Sequence, residues 1–321
     1  MWRYVGKRSI TGVLVILVAI CLNFMLIQLA PGDPISILSG QDSPSPEMVE
    51  TLKEKYGLNE PIIVQFFMYI SKLFQGDMGE SILTGKPVME MIGERIGPTL
   101  MLALTTAVLS LIIGTLLGIY CARHVGSKLD NTVSGISYIF DSMPSFWLGM
   151  MFILIFASTF GIFPTSGMTD LRADYTGIAY VMDVLKHMFL PAITLTLITT
   201  PYFFRIARSS VIQTMSEDFI TTLRATGMKE SKIFRKYVFK NSVLPTITVF
   251  GITLAYIITG VAIIEIVFSW PGMGSFMLNA ISRRDYPLLM GIYLILSISV
   301  AATMIIIDVL YAFIDPRIRY E

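Results

Sequence analysis

The stretch from Pro98 to Cys121, PTLMLALTTAVLSLIIGTLLGIYC, contains no charged residue. A helix needs roughly 20 predominantly apolar residues to cross the hydrocarbon core of a bilayer. In lipid every backbone polar group must find its partner within the segment, and a helix supplies those partners. The run is therefore read as a membrane-spanning helix, at 98–121. Comparable runs near 10–30, 132–160, 188–210, 243–268 and 288–313 bring the expected number of spans to six. Composition agrees. The 321 residues are 54% hydrophobic and 15% charged, with a mean hydropathy of +0.69. A soluble domain is about 45–50% apolar and about 25% charged. The expected fold class is all-α and polytopic.

The first run follows a basic start, as a secretory signal does. Its apolar stretch is longer than the roughly 7–15 residues of a signal core, and no small-residue cleavage site follows, so it is kept as a span. Six spans put both termini on one side. With the N-terminus inside, the inner segments hold fifteen of the 24 lysines and arginines, including Arg123, Lys128, Arg224, Lys229, Lys232, Arg235, Lys236 and Lys240. Such an excess marks the cytoplasmic side. A net charge of +1 gives no electrostatic reason to expect nucleic-acid binding. The expected organisation is an N-terminal tail and first span at 1–30, an extracytoplasmic helical insertion at 31–97, a five-span core at 98–313, and a C-terminal tail at 314–321. Within the core an inner loop occupies 211–242.

The insertion reads as two short helices. In SPEMVETLKEKYG, Ser45 can cap, Pro46 suits the first helical position, Glu47 and Glu50 favour the positive end of the dipole, and Gly57 can stop the helix. In NEPIIVQFFMYISKLFQG, from a cap at Asn59 to Gly76, Ile63, Phe66, Phe67, Ile70 and Phe74 recur at helical spacing. That helix is too short and too amphipathic to cross, and is expected on the outer membrane surface or against the spans.

The inner loop breaks the apolar pattern. SEDFITTLRAT reads as a short helix starting at Ser216, with Phe219, Ile220 and Leu223 on one face. Gly227 permits a left-handed cap. A second, basic helix follows from Lys229 to Lys240, striped by Ile233, Phe234, Tyr237 and Val238. Setting topology or attracting anionic lipid needs only the lysines and arginines. Two helices around a fixed turn also fit a docking element for a cytoplasmic partner.

LRATGMKES (223–231), lying between the fourth and fifth predicted spans, resembles the cytoplasmic loop of ABC-transporter permeases. LAPGDP (29–34), GDMGES (76–81), PSFWLG (144–149), FPTSG (163–167), LPAITL (190–195), FSWPGMG (268–274), RDYPL (284–288) and DPRIR (315–319) resemble, in order, the dipeptide/oligopeptide/nickel permease family, in its B-type. At the positions where the general ABC loop carries Glu-Ala-Ala, this chain has Thr221, Thr222 and Leu223.

The resemblance implies a type I ABC importer permease of a bacterial or archaeal inner membrane. Leu223, Arg224, Ala225, Thr226, Gly227, Met228 and Lys229 would form the helix that couples to an ATPase. The implied partners are a homologous C-type permease in a heterodimer, two ATPase subunits that bind ATP and Mg²⁺, an extracytoplasmic substrate-binding protein, and the bilayer. The implied cargo is a di- or oligopeptide, with nickel or a metal chelate as the alternative within the family. A stand-alone secondary transporter is the alternative from another class. It predicts inverted repeats with broken helices, and no internal repeat is visible.

No cofactor, metal or catalytic site is expected in this chain. GESILTGKP (79–87) imitates a phosphate-binding loop, but its glycines are one residue too far apart and Pro87 stands where a hydroxyl is needed. His124 and His187 sit at predicted membrane edges, outside any metal-binding motif. An intramembrane aspartyl enzyme would need Asp141 and Asp308 together. The candidates for the pathway or gate are Asp141, Pro144, Glu265, Trp270, Pro271 and Gly272. Pro144 leaves a carbonyl near Phe140 without its helical donor, so a kink is expected there. Glu265 is costly against lipid and should face a partner, the bundle or water; Arg283 or Arg284 could pair with it. PGMG and RDYP are expected to shape the outer mouth. Asn23 and Gln28 are expected to hydrogen-bond between helices, and Cys21 and Cys121 to pack as small apolar groups.

Overall fold

Glycines at positions 114 and 118 allow one helix to lie directly against the backbone of another. A Cβ on Gly114 would lie 2.7 Å from the Phe203 Cβ and 2.8 Å from the Thr200 carbonyl oxygen, and one on Gly118 would lie 2.7 Å from the Phe204 carbonyl oxygen. Only hydrogen fits at that distance. Small residues at four-residue spacing let membrane helices pack backbone to backbone, and Ser110 extends the series by donating its hydroxyl to the Thr196 carbonyl at 3.4 Å. Apolarity alone does not reveal this contact.

The computed structural model describes residues 2–29, 45–56 and 59–314. LAPGDP beyond Leu29, Gly57, DPRIR, and the side chains of Gln28 and Asp308 lie outside the described residues. The helices are α1 (Trp2–Leu29), α2 (Pro46–Tyr56), α3 (Ile62–Phe74), α4 (Val88–Arg123), α5 (Lys128–Ser142), α6 (Ser145–Phe152), α7 (Gly177–Met215), α8 (Asp218–Ala225), α9 (Glu230–Ile233), α10 (Phe239–Gly260), α11 (Ala262–Val267), α12 (Met273–Ser282) and α13 (Tyr286–Ile314). Wide turns at Ile153–Thr159 and Phe234–Val238 extend α6 and join α9 to α10. Among the described residues, α4, α7 and the Tyr286–Ile305 part of α13 are long and apolar enough to cross a membrane, and α5 with α6 adds a fourth crossing if the bent pair is one span. Ile10–Met25 in α1 and α3 are shorter apolar helices.

Two compact units emerge, Met1–Thr99 with Pro271–Glu321, and Leu100–Trp270. In the first, α1 packs along α13, and Phe24 of α1 meets Phe66 and Tyr69 of α3 at 5.2 and 6.0 Å between ring centres. Pro46 starts α2, with the Val49 N–H on the Ser45 carbonyl. α3 begins at Ile62 after Pro61, so Asn59 is not its cap: proline fixes the backbone two residues later. Ile62, Ile63, Phe67 and Phe74 remain exposed on it. The amide nitrogen of buried Asn23 has no hydrogen-bond partner among the described residues.

Asp285 organises the rest of this unit. It is buried, accepts the Ser81 hydroxyl at 2.5 Å and the Ile82 N–H at 3.3 Å, and accepts the Leu288 N–H at 3.4 Å at the start of α13. It thereby joins GDMGES to RDYPL. The loop that imitates a phosphate cradle has its amides in use: Ser81 N–H donates to Lys86, Gly85 N–H to Ser81, and Thr84 N–H to the Ser81 hydroxyl. Its chain order is that of a hook, not an anion nest.

In the second unit, the apolar core joins Leu102 and Ala103 of α4, Val184 to Leu195 of α7, and Ile264 and Phe268 around α11, with Trp270 fully buried. The fourth predicted span sits inside the longer α7, which carries Pro191 and Pro201 without interruption. The predicted span at 132–160 is not one straight crossing helix. It bends by 101° between α5 and α6. The carbonyl of Phe140, denied a donor at Pro144, accepts the Met143 N–H at 3.3 Å instead, which closes α5 and lets α6 leave in a new direction.

Candidate functional site

The segment from Ser216 to Lys240 folds as a helix, a fixed turn and a second helix, with one residue of difference from expectation at its start. Ser216 closes α7, its hydroxyl donating to the Gln213 carbonyl at 2.8 Å, and Glu217 precedes α8. Either polar residue suits that boundary, and the length of α7 decides between them. At the other end of α8, Gly227 has φ +76°. Its N–H donates to the Arg224 carbonyl at 3.0 Å, and the Met228 N–H reaches the Leu223 carbonyl at 3.3 Å. These two bonds form a complete Schellman ending. The Thr226 hydroxyl also donates to Leu223, at 2.8 Å.

A small apolar core fixes how the two helices lie. Ile220, Ile233 and Val238 are buried with Ala122 of α4 and Val211 of α7, and Leu223, Met228, Phe234 and Tyr237 pack around them. Across the turn Arg224 Nε donates to Glu230 Oε1 at 2.6 Å. Both are exposed, so the pair orients the turn more than it stabilises it. Arg224, Ala225, Thr226, Gly227 and Lys229 form an exposed polar face, with Phe219 exposed beside α8. The expected second helix from Lys229 to Lys240 begins at Glu230 and runs on into α10 through the wide turn.

One further pair holds this end of the unit together, and nothing local in the sequence announces it. Arg208 of α7 grips Asp130 of α5 in a fork, Nε to Oδ1 at 2.7 Å and Nη2 to Oδ2 at 2.8 Å. Asp130 also accepts the Gly126 N–H at 3.0 Å, and its own N–H donates to the Ser127 hydroxyl that caps α5. Its side chain is 2% exposed and that of Arg208 28%.

At the far end of α5, Asp141 pairs with Arg205 at 2.9 Å, both partly exposed. Beside it the bend opens a crevice of about 630 Å³ lined by Tyr138, Ile139, Ser142, Met143, Pro144 and Trp147. Glu265, in α11, is fully buried. Its carbonyl accepts the Trp270 N–H at 2.7 Å, and that of Ile266 accepts the Ser269 N–H at 3.1 Å. This is a second Schellman ending, with Ser269 at φ +49° where glycine is usual. The neighbouring Phe268 carbonyl accepts the Gly167 N–H at 2.9 Å, joining FPTSG to FSWPGMG. In the other unit, Pro271 is half-buried and Gly272 caps α12, whose first N–H, from Met273, donates to the Thr99 hydroxyl at 2.7 Å.

A left-handed residue with a Cβ costs about 1–2 kcal/mol, partly offset by the stiffer unfolded chain. Ser269→Gly is therefore expected to raise thermal stability in detergent by about 1–3 °C. A thermal-shift scan beside the parent protein checks this, and a lowered midpoint would count against the strain.

The candidate residues thus separate into places rather than one site. Leu223 and Met228 share the apolar cluster around Ile220, whereas Trp270 belongs to another. His124, just beyond the end of α4, meets the Tyr120 carbonyl at 3.0 Å, and His187 meets the Asp183 carbonyl within α7 at 2.9 Å. No three His, Cys, Asp or Glu side chains converge among the described residues. Cys21 and Cys121 are free thiols.

Residues 114–320 match the family described as binding-protein-dependent transport system inner membrane component, and residues 1–103 match the N-terminal region of such membrane components. The chain is 34% identical, over the whole of both chains, to the oligopeptide transport system permease protein AppB of Bacillus subtilis. It is 36% identical to the probable D,D-dipeptide transport system permease protein DdpB of Escherichia coli, covering 99% of this chain and 97% of the relative. It is 33% identical to the di/tripeptide transport system permease protein DppB of Pseudomonas aeruginosa, covering 94% of each. An inward-facing MetNI methionine ABC transporter structure aligns with TM-score 0.55 at 18% identity, covering 71% of this chain and 97% of that one. That likeness concerns the fold.

Proposed function

Since the chain belongs to the family of binding-protein-dependent transport system inner membrane components, we propose that it is the permease subunit of an ATP-driven importer of short peptides. The carrying observation is the full-length match to an oligopeptide permease. The names of the relatives favour peptide over nickel or chelate cargo. The protein is a transporter component, not an enzyme, and the motor belongs to separate subunits.

In this reading the chain has six spans and both termini in the cytoplasm of a bacterial or archaeal cell. It pairs with a homologous permease of the C-type, two ATPase subunits bind below, and a binding protein delivers cargo outside. The 31–97 insertion faces outward. Residues 223–229 dock on the ATPase, supported by the built turn and its exposed polar face. When ATP draws the motor subunits together, the segment moves as one piece, because its own core ties it to α4 and α7. Arg208 carries that motion to α5, and the bend at Pro144 gives the pathway a hinge. Asp141, Glu265, Trp270, Pro271 and Gly272 line or shape the route and its outer gate. Transport then follows from alternating stability of inward- and outward-facing states.

A mild-detergent pull-down with mass spectrometry of both chains and bound small molecules tests the assignment. A second permease, ATPases and a peptide-bearing binding protein are expected; recovery of the chain alone after cross-linking in membranes would overturn it. Gly227→Val places a branched side chain at φ +76°. Against a left-handed cost of about 1–2 kcal/mol, peptide uptake by the reconstituted importer should fall about tenfold, while insertion and helicity stay as in the parent. Unchanged uptake would remove the docking role from this turn.

A further inference from the structure

The turn Phe234–Val238 is wound wider than the helices it joins: the Phe239 N–H donates to the Phe234 carbonyl, five residues back. Such turns are rare and gather at functional sites. Here the widening has a definite result. Residues five apart come into line, Phe239 with Phe234 and Lys240 with Arg235, whereas a regular helix of 3.6 residues per turn would rotate them apart. Between the two rings and Arg235 lies a crevice of about 390 Å³. Arg123, the last residue of α4, lays its guanidinium over the Phe234 ring at 4.6 Å.

The cations around this crevice are unneutralised. Arg123, Arg235, Lys236 and Lys240 are exposed, and none has a carboxylate partner among the described residues. Glu230, the acidic residue of α9, is held by Arg224. Phe239 is 45% exposed and stands one turn before the apolar run that begins near residue 243. If α10 crosses the bilayer, a ring at that position would meet the roots of acyl chains, and a guanidinium one turn further out would meet phosphates. Basic clusters beside a membrane helix attract anionic lipid.

We propose that Arg123, Arg235 and Lys240, with Phe234 and Phe239 as an apolar floor, form a headgroup site for one anionic phospholipid of the adjoining leaflet. An acidic protein loop would find the cations but has no use for two phenyl rings facing the membrane entry; a lipid uses both. The inference rests on the membrane reading of α10 and on nothing about cargo or motor subunits.

Native mass spectrometry of the full chain in mild detergent tests it, with phosphatidylglycerol and phosphatidylcholine of identical acyl chains as probes. The parent protein should retain one phosphatidylglycerol in preference to phosphatidylcholine. Arg235→Ala should weaken that retention about fivefold, Phe239→Ala should weaken it also, and Arg235→Lys should keep most of it. Lys186→Ala, in the early part of α7, should leave that retention unchanged. Equal retention of the two lipids by the parent, or undiminished phosphatidylglycerol retention in both alanine variants at parental helicity, overturns the site. If those variants keep the lipid but lose co-purifying ATPase, the crevice is a protein contact and the proposal fails. The lipid readout involves neither transport nor a partner chain, so its failure leaves the peptide-importer reading standing.

Discussion

Gly118→Leu is expected to abolish accumulation of the folded protein. The added Cβ alone would sit 2.7 Å from the Phe204 carbonyl oxygen and 2.9 Å from the Arg208 nitrogen. Both are backbone atoms of α7, so no rotamer change relieves the clash and the helices must part. Overpacking in a yielding core costs about 1–3 kcal/mol; against an unyielding backbone we expect about 3 kcal/mol or more. Separation would also spoil the adjacent Gly114 contact and draw Arg208 from Asp130. Fluorescence-detected size exclusion of detergent extracts should show aggregate in place of the parent's symmetric peak. Gly135→Leu is the control, since nothing lies within 4 Å of a Cβ there; it should elute normally. A monodisperse Gly118→Leu protein with the parent's melting temperature would refute this packing.

Asp130→Ala should have the next largest effect. It removes both acceptors of the Arg208 fork and the acceptor for Gly126 N–H. Losing one partner of a fully buried pair costs about 3–5 kcal/mol. Arg208 keeps 28% exposure and water can reach it, so about 2–3 kcal/mol is expected here. Asp130→Asn should fall between, keeping the shape and one acceptor. Adding Arg208→Ala to Asp130→Ala should cost less than the sum of the single changes, because the orphaned guanidinium is gone. Thermal unfolding of the four proteins in one detergent measures the coupling. Additive losses would mean that the fork contributes nothing of its own. The same variants should reduce uptake beyond their loss of protein, since the fork is the proposed link from α7 to α5.

What could be read in advance follows the range of the forces involved. Apolar runs place helices because lipid imposes its demand on each segment separately. The ending at Gly227 is legible for a similar reason: one glycine behind an amphipathic turn specifies two local hydrogen bonds. Pro144 announces a break, but 101° depends on where α6 packs, which proline does not encode. Ser269 and Arg284 stand at φ +49° and +56° without any residue-type signal, because burial of Trp270 and Asp285 holds them there. Asp130 and Arg208 lie far apart in sequence, and their pairing is a choice made by packing. Gly114 and Gly118 carry a readable spacing, which a reading by hydropathy alone passes over.

The apolar cluster around Ile220 has a consequence for how the protein is made. Ala122, Val211, Ile220, Ile233 and Val238 come from the end of α4, the end of α7, α8, α9 and the approach to α10. A growing chain that has emerged only through α8 lacks Ile233 and Val238, two of the five buried residues the segment closes upon. The surface proposed to receive the motor therefore comes into being only once the chain is synthesised past residue 238. Half-finished permeases would present no complete socket, and ATPase subunits would be reserved for chains synthesised past residue 238 of the 321.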